Sequence, residues 1–112
     1  MTAPEADALE GIVVYWRPGC GFCSALGSDL DRLGVNHRLV NIWENPTAAA
    51  YVRSIARGNE TVPTVSIGRV ALVNPSTDDV LATAMQYTPG LVPEGYVPRR
   101  TLGNWIRRRL DR

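Results

Sequence analysis

The sequence contains no lysine, so all twelve of its basic residues are arginine. Uniform arginine is what codon bias in a GC-rich genome produces, and it is no sign of bidentate anion binding at each site. Histidine occurs once, at His37, and cysteine twice, at Cys20 and Cys23. A closed tetrahedral zinc site would need a second Cys-x-x-Cys or a Cys/His pair to complete it, and neither is present. His37 reads as a solvated or half-buried strand residue, not a ligand, and no metal site is expected. The fingerprints of serine hydrolases, phosphate loops and dinucleotide folds are also missing. No apolar run approaches the roughly 20 residues needed to cross a bilayer. Residues 1–10 carry acids and Pro4 but no basic start followed by an apolar run, so they read as a flexible tail and not as a signal peptide or anchor. The expected location is the cytoplasm.

What is present fits one soluble domain of 112 residues, 45% hydrophobic and 21% charged. The net charge of +1 hides an asymmetry. Residues 86–112 hold six arginines against Glu94 and Asp111, a segment of +4, which leaves −3 on residues 1–85. Attraction to phosphate or anionic lipid would come from the C-terminal end alone. Nucleic acid is not an expected partner and a membrane is a disfavoured one.

Gly11 followed by Ile12-Val13-Val14-Tyr15 reads as a first strand buried on both faces. Cys23, Leu26, Leu30 and Leu33 then recur at helical spacing, and Gly34 supplies a stop. A second strand is expected over 37–42. Asn45-Pro46 offers a cap and a favoured first helical residue for an alanine-rich helix ending near Gly58. Val65 and Ile67 alternate with Thr64 and Ser66, and Gly68-Arg69 separates them from Val70 to Val73 at hairpin spacing. Ser76 and Asp79 form a capping-box pattern for a helix through about Met85. The order is βαβαββα over residues 11–85. Residues 87–98 hold three prolines and two glycines and read as an irregular connection. Leu102, Trp105, Ile106 and Leu110 share one face of a basic C-terminal helix, which is expected to dock on its own domain.

Chemistry concentrates in Cys20-Gly21-Phe22-Cys23, at the junction of the first strand and first helix. A strand-to-helix turn leaves Cys20 beside orphan N–H groups and the positive end of the helix dipole. Its thiol is expected to fall from about 8.5 into the range of about 3.5–7.5, making it the attacking nucleophile. Cys23 lies one turn on, on the apolar side, and is the expected resolving thiol. Gly21 adds no bulk beside the sulfur. Arg17 either supports the thiolate or is a solvated loop charge; Phe22 either walls the site or packs within the helix.

Together, the βαβαββα order, the Cys20 to Cys23 motif and Thr61-Val62-Pro63 before the third strand resemble the glutaredoxin family. The string Gly58-Asn59-Glu60-Thr61-Val62-Pro63-Thr64-Val65, followed by Val73-Asn74-Pro75-Ser76, is most similar to the actinobacterial mycoredoxins, glutaredoxin relatives that depend on mycothiol. The resemblance implies an α/β thioredoxin fold, a four-stranded mixed sheet flanked by helices, here with an additional C-terminal helix. It implies a cis Pro63 against the active-site sulfurs, with the backbone of Val62 pairing to a bound thiol beside Thr61. Glutaredoxins hold the charged groups of glutathione with a Gly-Gly stretch and an Asp pair at the start of the last helix. The corresponding run here is Asn74-Pro75-Ser76-Thr77-Asp78-Asp79. Without the glycines, Ser76 and Asp78 either hydrogen-bond a sugar-like thiol or serve as helix cap and first-turn acid. Asn41 stands where relatives tend to carry an acid after the second strand's apolar pair, and Trp43 either lines the thiol groove or covers the sheet edge.

The implied activity is reduction of mixed disulfides between proteins and a low-molecular-weight thiol, mycothiol before glutathione. No cofactor is bound, and electrons come from NADPH through a separate small-thiol disulfide reductase. The chain is expected to be monomeric. The rival readings are a dithiol redoxin fed by thioredoxin reductase, a module in which Cys20 of two chains holds an iron-sulfur cluster, and an adaptor docking through its arginine-rich end.

Overall fold

The computed structural model of the chain describes residues 11–96. The expected N-terminal tail and the expected basic helix around residues 102–110 lie outside the described residues. Strand β1 spans Ile12–Trp16, helix α1 Gly21–Arg32, β2 Arg38–Asn41, α2 Pro46–Ile55, β3 Thr64–Ile67, β4 Val70–Val73 and α3 Thr77–Tyr87. The sheet order is β2-β1-β3-β4, with β1 and β2 parallel and the β1–β3 and β3–β4 pairs antiparallel.

β1 is central and almost wholly buried, which is why its residues need no polar alternation. Its side chains divide between two cores. Ile12 and Val14 meet Leu26 and Leu30 of α1 and Val80, Leu81 and Ala84 of α3 on one face. Val13 and Tyr15 meet Ala48, Ala49 and Val52 of α2 on the other. The result is a sheet with two helices on one face and one on the other, the thioredoxin-type architecture expected from the sequence.

Local chemistry sets the element ends. α1 closes in a Schellman motif: Gly34 takes φ +74°, Val35 N–H donates to Leu30 O at 2.9 Å, and both apolar residues join the same core. α2 begins at Asn45, whose side chain accepts from Ala48 N–H, with Pro46 as its first residue. It stops at Ile55, three residues before the expected end near Gly58. Arg57 at φ +58° takes the left-handed position, and Gly58 N–H reaches back to Arg53 O at 2.7 Å. Gly68 turns the β3–β4 hairpin at φ +59°. The capping box at Ser76 and Asp79 is formed in both directions.

α3 runs to Tyr87, two residues past the expected end. The connection beyond it is less irregular than its prolines and glycines imply. A single 3-10 turn over Pro89–Leu91 follows, and Leu91, Val92 and Tyr96 pack against the core shared by α1 and α3. Proline at the first position of that turn suits a short helical piece, so the residues that suggested a loop also initiate this turn.

Candidate active site

β1 runs parallel to β2 and antiparallel to β3, so the carboxyl ends of β1 and β2 share one end of the sheet with the start of β3. The loop after β1, the loop before β3 and the start of α3 therefore converge there. In open α/β sheets this carboxyl end is where ligands bind.

Cys20 is the N-cap of α1, with φ −93° and ψ 103°, and its Sγ accepts a hydrogen bond from Cys23 N–H at 3.1 Å. A cysteine here occupies the position usually held by Ser, Thr, Asp or Asn. Sulfur replaces oxygen as the acceptor for an orphan amide of the first turn, an arrangement that favours negative charge on that sulfur once the thiol is free. Cys20 and Cys23 are joined in a disulfide, with Cα atoms 5.2 Å apart. Cys20 is half-buried, whereas Cys23 is only 5% exposed and lies on the core side of α1. The difference in access expected from helical spacing is present. Gly21 has nothing within 4 Å of the place a Cβ would take, so the chain beside the sulfur faces open space there.

The Val62–Pro63 peptide is cis and Pro63 is buried. Val62 O lies 3.8 Å from Cys20 Sγ, which puts the loop before β3 against the sulfur, as the resemblance implied. Thr61 O accepts from Thr64 Oγ1 at 2.8 Å and Pro63 O from Asn74 N–H at 2.7 Å, two bonds that fix the loop from both sides. Asn74 holds φ +51°, a conformation asparagine tolerates better than most residues.

Phe22 is 75% exposed, so its ring is not packed within the helix. Arg17 is neither buried nor beside a carboxylate among the contacts described; its guanidinium carbon lies 5.7 Å from the ring centroid of Trp43. Trp43 itself is 61% exposed, and its backbone N–H donates to Asn41 Oδ1 at 2.9 Å. Asn41 thus shapes the turn that presents the indole. Ser76 and Asp78 sit at the start of α3. Ser76 Oγ accepts from Asp79 N–H at 3.0 Å as the cap, and Asp78 Oδ1 accepts from Tyr96 Oη at 2.6 Å.

Sequence reasoning missed the Arg17–Trp43 stack, the Tyr96–Asp78 bond and the bond from Thr77 Oγ1 to Asp29 Oδ2 at 2.8 Å, which ties α3 to α1. Each pairs residues far apart in the chain, with no periodic signal to announce it. His37 lies just before β2, its Nδ1 2.8 Å from Val35 O and its Nε2 3.6 Å from Asp31. It is remote from the cysteines in both sequence and hydrogen bonding, in keeping with a structural role.

A glutaredoxin family profile matches residues 12–72, more than half of the chain. A Mycobacterium tuberculosis (strain H37Rv) protein that carries the glutaredoxin name, Rv3198A, is 38% identical over 72 residues, covering 63% of this chain and 86% of that protein. Among solved structures, holo glutaredoxin C1 from Populus tremula x tremuloides superposes with a TM-score of 0.52 at 25% identity, covering 75% of this chain and 83% of that one. The Brucella melitensis glutaredoxin shares the fold at TM-score 0.53 and 23% identity, over 83% of this chain and 99% of its own. A cysteine pair at the start of α1, a cis-proline loop against it and the family match together place this chain in the glutaredoxin family, as a thiol-disulfide oxidoreductase.

Proposed function

We propose that the chain reduces mixed disulfides between proteins and a low-molecular-weight thiol, with mycothiol as that thiol and Cys20 as the nucleophile. The observation that carries the reading is the Cys20 sulfur at the N-cap of α1, half-buried and accepting the Cys23 amide, while Cys23 is withdrawn into the core. The Cys20 thiolate attacks the small-thiol sulfur of the mixed disulfide. The protein leaves as its thiolate and takes up a proton, and Cys20 carries the small thiol. A second small-thiol thiolate then attacks that sulfur, giving the symmetrical small disulfide and free Cys20; alternatively Cys23 attacks Cys20, releasing the small thiol and forming the Cys20–Cys23 disulfide. A separate reductase returns the small disulfide to thiol with electrons from NADPH.

The backbone of Val62 beside Thr61 and Pro63 lines one side of the bound thiol, Ser76 and Asp78 the far end, and Arg17, Gly21 and Phe22 the mouth. Asn74-Pro75 stands where glutathione users expose backbone from glycines, which favours a polyol thiol over a charged tripeptide. Turnover of one peptide carried as its mycothiol and as its glutathione mixed disulfide, under matched reductase supply, tests the assignment. Faster reduction of the mycothiol form is expected. Equal or faster turnover with glutathione overturns the thiol assignment, and reduction only by thioredoxin reductase replaces it with a dithiol redoxin. Cytoplasmic location and a monomeric state complete the proposal; among the described residues no helix is long and apolar enough to cross a membrane.

A further inference from the structure

Residues 88–96 lie beyond the family match, yet they do not leave the domain. Thr88 N–H closes the end of α3 on Ala84 O at 2.7 Å, the 3-10 turn follows, and Leu91 and Val92 lie on the core between α1 and α3. Gly95 at φ +86° reverses the chain, and Tyr96 N–H donates to Pro93 O at 3.1 Å. The segment has then doubled back along α3. Its last described residue, Tyr96, donates its hydroxyl to Asp78 Oδ1 at 2.6 Å, in the first turn of α3 at the Cys20 end of the sheet.

Asp79, the neighbouring acid, is engaged in the capping box with Ser76. Asp78 is thus the acid of this turn that Tyr96 reaches, and it is the one proposed to line the thiol groove. We propose that Tyr96 is a positioning residue for thiol selectivity: by engaging the Asp78 carboxylate it favours a small thiol that carries no ammonium group. The proposal rests on the reading that places the small thiol between the cis-proline loop and α3.

The chemistry follows from what a carboxylate offers. An oxygen that accepts a phenolic hydrogen is held in one orientation and has part of its charge neutralised. An incoming ammonium then meets a carboxylate already turned toward the phenol and carrying less charge to attract it. Glutathione carries an ammonium and two carboxylates, and the carboxylates gain nothing from two acids in one helical turn. Mycothiol, with an acetylated amine and a glucosamine-inositol body, presents hydroxyls and amides, for which Ser76 and the Val62 backbone suffice.

The test uses the full-length chain with Cys23→Ser, so that a thiol captured on Cys20 stays there. In separate mycothiol and glutathione redox buffers, the Cys20 thiolate attacks the small disulfide and releases one small thiolate, and mass spectrometry gives an equilibrium constant for each adduct. Tyr96→Phe, which keeps the ring and removes the hydroxyl, is expected to lower the mycothiol-to-glutathione ratio about tenfold, the scale of one hydrogen bond to a charged group. The same substitution in an Asp78→Asn background should leave the ratio unchanged. A ratio unmoved by Tyr96→Phe, or moved equally in both backgrounds, overturns the role of Tyr96 alone. A parent protein that favours glutathione overturns the mycothiol reading, whichever way Tyr96→Phe moves it. The thermal midpoint of Tyr96→Phe should stay near the parent's, separating selectivity from loss of packing.

Discussion

At the scale of single residues, the division of labour between the cysteines makes the sharpest claim. Cys20→Ser should abolish reduction of mixed disulfides, because no other thiol stands at the helix start. Cys23→Ser should keep substantial turnover when small thiol is in excess, since resolution can then come from solution. Thiolate absorbance against pH in the reduced protein checks the cause: Cys20 should ionise within about 3.5–7.5 and Cys23 well above it. A second residue-scale prediction concerns Tyr51, half-buried on the α2 side of the sheet with its ring 5.2 Å from that of Tyr15. Burial raises its phenol above the ordinary value of about 10. The folded state therefore disfavours the phenolate, and stability present below pH about 10 is lost as pH rises past it, where the unfolded chain ionises first. Tyr51→Phe should flatten the alkaline fall of the thermal midpoint while changing it little near neutrality. Parallel alkaline curves for the two proteins would show that other groups drive that fall.

Elements in this fold are closed by a few residues whose backbone demands differ. Gly34 meets the left-handed position after α1 without strain, but after α2 that position falls on Arg57, with Gly58 one residue late. A non-glycine residue there costs about 1 kcal/mol. Arg57→Gly should recover much of it, raising the denaturant midpoint without changing the slope of the transition. This mismatch also explains why the end of α2 was misplaced by three residues on sequence: a glycine was the visible stop, while the turn was made by the arginine before it. Elsewhere the signals were local and sufficient. Asn45-Pro46, Ser76 with Asp79, and Gly68 each act within three residues, so the caps and hairpin could be read directly. The N-cap role of Cys20 was legible for the same reason, because strand, turn and amphipathic helix are adjacent in the chain. The stack of Arg17 on Trp43 and the Thr77–Asp29 bond were not, since side chains 26 and 48 positions apart meet only after the sheet has assembled.

Across the whole molecule, the family match ends at residue 72, but the α1/α3 core continues through α3 to Leu91, Val92 and Tyr96. The segment after α3 is thus both part of the fold and the support of Tyr96. Its composition of proline and glycine hid this, because such residues mark turns without saying what the turns pack against. The two layers of this core should differ in cost. Leu81 is fully buried beneath the sheet, so Leu81→Ala should destabilise by about 2–5 kcal/mol. Leu91 and Val92 are each partly buried, and truncating both to alanine removes part of what full burial would contribute, roughly 2 kcal/mol together. For a domain of this size that lowers the thermal midpoint by about 10 °C and leaves the transition cooperative. Because the same truncation loosens the anchor of Tyr96, it should also move thiol preference in the direction of Tyr96→Phe, whereas Leu81→Ala, measured well below its own midpoint, should not. Calorimetry with the two adduct equilibria checks both halves. A Leu91→Ala/Val92→Ala protein as stable as the parent would mean that the segment rests on the domain without holding it.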